Sequence, residues 1–119
     1  MSVTQERPYL DCISGSWLAE RLGWTPERIE ILRRAGELVA VREPGSLDWL
    51  YPAWQFAGRR PRPGVARVVA AAREAGLDEN ELYGLLTAPL GLRARDGSRL
   101  VDLLVEGRVD EVVAAVRGA

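Results

Sequence analysis

The sequence predicts a mainly α protein in which two short helices and a small β-hairpin are followed by a linker and a second helical part. Three observations predict it. Residues 14–56 hold all four tryptophans and set two helical patterns around a glycine turn. From Glu37 to Tyr51 the pattern changes to β-compatible runs about a Pro-Gly turn. Beyond Gly64 the apolar residues return at helical spacing to the end of the chain.

Met1 to Ile13 reads as a loose lead-in. Ser16 is the expected N-cap of the first helix, with Glu20 in its first turn and Trp17, Leu18 and Leu22 supplying apolar contacts at helical spacing. Gly23, which tolerates left-handed backbone, ends it. Thr25-Pro26-Glu27 is the clearest local signal: a capping hydroxyl, a proline preset to helical φ, and a carboxylate beside the positive end of the helix dipole. Ile29, Leu32 and Ala35 share one face of this second helix, and Gly36 closes it. Leu38 to Val41 and Leu47 to Tyr51 are the expected strands of a hairpin with Arg42 at its tip, and Pro52 ends the second strand. In so small a unit the tryptophans are expected to be core.

Gly58 to Gly64, with two prolines, two glycines and three arginines, divides the chain into 1–57, a linker 58–64, and 65–119. The plainer reading of those arginines is a solvated connector, the sharper one a contact to DNA backbone. Val65 to Gly76 is an alanine-rich helix. Asp78 caps the next, with Leu82, Leu85 and Leu86 on one side, and Pro89 breaks it. Leu90 to Gly97 is a loop, Ser98 caps a helix running to Glu106, and a last helix carries Val109, Val112, Val113 and Val116. Helices this short bury little alone, so a partner face is expected on part of their surface.

Composition narrows the function classes. With 47% hydrophobic and 28% charged residues the chain reads as globular, and with no long apolar run it is expected to be cytoplasmic and away from membranes. A net charge of −1 excludes an avid, non-specific nucleic-acid binder, so any such contact is local. All 16 basic residues are arginine, which suits bidentate contacts to phosphates and guanines. One cysteine, Cys12, and no histidine exclude an internal disulfide and the common zinc sets. Cys12 reads as a small, partly buried hydrophobe. The tail carboxylates stand apart from any nucleophile or phosphate cradle, so neither an enzyme nor a cofactor is expected.

The run Ser16-Trp17-Leu18-Ala19-Glu20-Arg21-Leu22-Gly23-Trp24-Thr25, with Leu32 to Val41 and Tyr51 to Phe56, resembles the excisionase or MerR-like winged helix-turn-helix heads of small bacterial DNA-binding proteins. The resemblance implies that the second helix enters the major groove of double-stranded DNA and that the hairpin is a wing. By position it implies Thr25, Arg28, Arg33 and Arg34 on the DNA from that helix, and Arg42 from the wing. Glu27 and Glu30 depart from the polar or basic residues such helices carry.

Leu86-Thr87-Ala88-Pro89-Leu90-Gly91-Leu92, with Gly97 to Val112, is similar to the toxin-binding domain of Xre, MbcA and ParS antitoxins. That resemblance implies a type II toxin-antitoxin role: neutralising a partner toxin, often of the NAD-consuming RES type, and repressing the chain's own promoter as a homodimer or hetero-oligomer. It puts Leu86, Pro89, Leu90, Leu92, Leu100 and Leu104 at the partner surface. The alternatives are a protein-interaction adaptor and a solitary transcription regulator whose tail only dimerises.

Overall fold

Ser14, two residues before the expected cap, starts the first helix: its hydroxyl accepts the Trp17 N–H at 3.3 Å, and α1 runs Gly15–Leu22. Gly23 ends it at φ 73°. Thr25 caps α2, Pro26–Arg34, its hydroxyl accepting the Arg28 N–H at 3.1 Å with Pro26 in the first turn. Gly36, at φ 80°, closes it as the Glu37 N–H returns to the Leu32 C=O at 2.9 Å. Ile29 is buried and Leu32 half-buried, while Ala35, expected beside them, is exposed. This computed structural model describes residues 9, 11–90 and 98–119.

The lead-in supplies a strand. Cys12–Ser14, β1, runs antiparallel to β2 at Leu50–Pro52, with Ile13 opposite Tyr51. The expected hairpin is reduced to one bridge, Val41 with Leu50, whose N–H···O bonds measure 2.9 and 2.8 Å. The next pair in that register would be Val39 with Pro52, but the Gln55 side chain takes both backbone groups of Val39 and proline has no N–H to offer.

After β2 a 3₁₀ turn, Ala53–Gln55, leads into a two-stranded hairpin. Its strands are β3, Phe56–Ala57, and β4, Arg60–Pro61, turning at Gly58 with φ 64°. The Arg62 Nε donates to the Trp54 C=O at 2.7 Å and its N–H to the Gln55 C=O at 2.6 Å. Residues 58–64 are therefore fastened at their base, where the sequence suggested a solvated connector.

Among the described residues four helices follow: α3 Val65–Glu74, α4 Glu79–Thr87, α5 Leu100–Val105 and α6 Val109–Arg117. Asp78 and Glu81 form a reciprocal capping box on α4. α5 starts one residue later than expected, with Arg99 as its cap and its N–H on the Asp102 carboxylate at 2.8 Å. The expected loop at Leu90 to Gly97 lies, apart from Leu90, outside the described residues.

The described residues form two apolar clusters. Leu18, Leu22, Ile29, Leu38, Ala40 and Tyr51 make the first; α3 to α6 make the second. Extended backbone sends alternate side chains to opposite faces, so Leu38 and Ala40 enter the first cluster while Val39 enters the second. Trp54 packs against the second cluster too. Trp17, expected in the core, is 64% exposed, while Trp24, Trp49 and Trp54 are half-buried.

Polar ties bridge the clusters. The Asp11 carboxylate accepts the Trp54 indole N–H at 2.8 Å and also the Tyr83 hydroxyl of α4. Asn80, in the first turn of α4, pairs with both the N–H and the C=O of Arg42, at 3.1 and 2.8 Å. Arg73 of α3 donates to the Arg33 and Arg34 carbonyls, each at 3.4 Å, and so serves the carbonyl end of α2.

Candidate nucleic-acid interface

α2 turns Glu27, Ile31 and Arg34 outward at positions i, i+4 and i+7, with Arg28 and Glu30 at the shoulders of that face. Ile31, which sequence reasoning did not single out, sits at its middle and is 64% exposed. Burial of Ile29 on the opposite side, among Leu18, Leu22, Leu38 and Tyr51, fixes this orientation.

The five residues expected on DNA divide in three ways. Thr25 is exposed, but its hydroxyl holds the helix cap. Arg28 is exposed with its guanidinium 4.8 Å from the Trp24 ring centre, and it has no acidic partner among the described residues. Arg42 is exposed and lies 4.6 Å from the Trp49 ring centre. Arg34 reaches solvent but is ion-paired to Glu30.

Arg33 has a different role from the one expected. Its side chain is only 14% exposed, 3.8 Å from the Glu30 carboxylate, with the guanidinium 4.2 Å from the Trp49 ring centre. Its Nε is buried without a partner among the described residues. It therefore packs α2 against the wing instead of facing DNA. The same guanidinium pulls the Tyr51 hydroxyl back toward easier ionisation, although burial dominates and raises it overall. Glu30, one of the two departures from the usual residues of such helices, is ion-paired to Arg33 and Arg34.

Two clefts flank α2. On the wing side, a cleft of about 480 Å³ lies between Pro26, Glu30 and Arg33 and the wing residues Leu47, Asp48 and Trp49. On the other flank, a cleft of about 780 Å³ has Trp24 and Arg28 on one wall and Arg59 and Arg60 of the β3–β4 hairpin on the other. The flanks differ because residues along a helix turn by about 100° each, which puts Arg28 and Leu32 well away from Pro26, Glu30 and Arg33.

The six residues expected at a partner surface fare unevenly. Leu86, Leu100 and Leu104 are 0%, 4% and 1% exposed, within the chain's own second core, and this corrects their reading as surface contacts. Their helical spacing was that of core. Pro89 and Leu90 are exposed, and Leu92 lies outside the described residues. Among the described residues no group of His, Cys, Asp or Glu could hold a metal ion, and no helix is long and apolar enough to cross a membrane.

Among solved structures the chain is similar to the NMR structure of Rv2175c, with a TM-score of 0.78. The likeness shows the fold. It covers 97% of this chain and 84% of that one at 24% identity, and so the two share a mainly α fold with a small β wing. No family model and no curated protein matches the chain.

Proposed function

We propose that this protein is a DNA-binding regulator that reads duplex DNA with the outer face of α2. The observation that carries the reading is the presentation of α2 itself. It is a nine-residue helix, capped at Thr25, with its outer face clear of its own chain, an unpaired Arg28 on its shoulder and an open cleft on each flank. With Arg34 engaged by Glu30 and Arg33 buried, few cations meet phosphate, so binding is of modest affinity and its salt dependence is set by those few contacts.

The finer form of the proposal is an antitoxin that represses its own promoter and neutralises a toxin through the tail. Its support is the sequence resemblance of residues 86–112, together with the surface left by Pro89 and Leu90. A second reading, a protein-interaction adaptor, is favoured by the exposed Ile31 between Glu27 and Arg34.

Fluorescence anisotropy decides between them, using random duplex DNA and the DNA upstream of the chain's own coding sequence at low salt. Binding weakened by Arg28→Ala supports the regulator. No binding to either duplex removes it in favour of the adaptor. Co-purification with the product of the neighbouring gene tests the antitoxin form.

A further inference from the structure

We propose that the β3–β4 hairpin, and not the wing, grips the DNA backbone beside α2: Arg59 and Arg60, with Arg28, take phosphates of one duplex strand. This rests on the DNA-binding reading above.

Charge separates the two flanks of α2. The wing loop from Arg42 to Trp49 carries Glu43 and Asp48 with an 88% exposed Leu47, and its lone arginine is stacked on Trp49. Asp48 lines the cleft on that side, where Glu30 and Arg33 are already ion-paired to each other. A phosphate brought there meets the Asp48 carboxylate and no unpaired guanidinium. The other cleft offers Arg28, Arg59 and Arg60 against a single carboxylate, Glu37.

Those three arginines are also in no ion pair among the described residues, although Arg28 is stacked on Trp24 as Arg42 is on Trp49. The ion pairs among the described residues engage Arg33, Arg34, Arg67, Arg99, Arg108 and Arg117. Arg59 and Arg60 are exposed and in none of them. A guanidinium without a partner exchanges bound counterions, not an internal salt bridge, when it meets phosphate, so its contact is realised in full.

The hairpin is held ready as well. Arg62 fixes its base to the carbonyls of Trp54 and Gln55, and Gly58 makes its turn in the left-handed region at φ 64°. Trp24 supports Arg28 from beneath. Little ordering remains to be done on binding, which favours affinity.

The test is the salt dependence of binding to a random duplex of about two helical turns, followed by anisotropy between roughly 50 and 200 mM salt. The proteins compared are wild type, Arg59→Ala with Arg60→Ala, Arg59→Lys with Arg60→Lys, and Arg42→Ala. Each phosphate contact contributes a slope of about 0.9 in log affinity against log salt. The double alanine variant is expected to lose about two units of slope, so that wild type weakens about tenfold more than the variant over that range. The double lysine variant keeps most of the slope, and Arg42→Ala changes it little. Circular dichroism and the melting temperature check that exposed tip substitutions leave the fold intact. An unchanged slope in the folded double alanine variant, or a slope lost with Arg42→Ala instead, overturns the hairpin assignment while leaving α2 as the reader. Absence of wild-type binding overturns both.

Discussion

The side-chain amide of Gln55 pairs with both the N–H and the C=O of Val39, at 2.7 and 2.8 Å, and donates again to the Pro52 C=O at 3.1 Å. Gln55 is fully buried, so it replaces a missing β-strand partner inside the protein. Gln55→Met keeps the volume and removes every bond. Because buried backbone groups would then lack partners, the expected loss is about 2–4 kcal/mol in urea unfolding. A loss under about 1 kcal/mol would mean that water or another donor serves Val39 equally well.

Asn80 does the same for Arg42, but at the surface. Asn80→Ala is expected to cost only about 0.5–1.5 kcal/mol, since water can replace an exposed partner. Its distinctive effect is local: hydrogen exchange at the Arg42 amide should speed up more than at Val41, whose N–H remains bonded to Leu50. Equal acceleration at both would refute a local role for the clamp.

Gly64 enters α3 at φ 92°, and a Cβ there would lie 2.5 Å from both methyl carbons of Val109. Gly64→Ala therefore combines left-handed strain of about 1 kcal/mol with overpacking of about 1–3 kcal/mol. Val109→Ala removes the clash and leaves the strain. In a double-mutant cycle, Gly64→Ala should cost about 1 kcal/mol less in the Val109→Ala background. Simple additivity would place the cost wholly in the backbone.

Burial, with Asp11 beside it, pushes the Cys12 thiol up to about 12 from its ordinary 9.0. A pKa raised in the folded state gives stability that is complete below the unfolded value and is lost as pH rises through the folded one. The expected window of loss is therefore pH 9 to 12. Cys12→Ala should flatten part of that alkaline decline, and the native thiol should react slowly with alkylating agents at pH 8. Thiolate absorbance titrating near 9 would contradict this environment.

The local signals that were legible in the sequence are those set by one residue's backbone or capping chemistry. Thr25-Pro26, Gly23, Gly36 and Asp78 announced α2 and α4 because a cap acts within a few residues. Ser14 displaced Ser16 because either hydroxyl suits a cap and tertiary pairing of β1 decided between them. The strand at Cys12–Ser14, the amide of Gln55 and the inward turn of Arg33 were not legible. Each depends on a partner supplied from elsewhere in the fold. Leu86, Leu100 and Leu104 show the same limit from the other side, since periodicity marks an apolar face without saying what covers it.

Val39 has one further consequence. This valine, from the segment after α2, lies within the core of α3 to α6, next to the backbone that leads into the wing. The head is therefore unsuited to transplantation: a graft of residues 11–57 onto another protein would carry an exposed Val39 and an unpacked Trp54. Heat, truncation or a ligand that loosens the tail would be felt at the wing through Val39 and at the carbonyl end of α2 through Arg73, which makes the helical tail a thermometer for both.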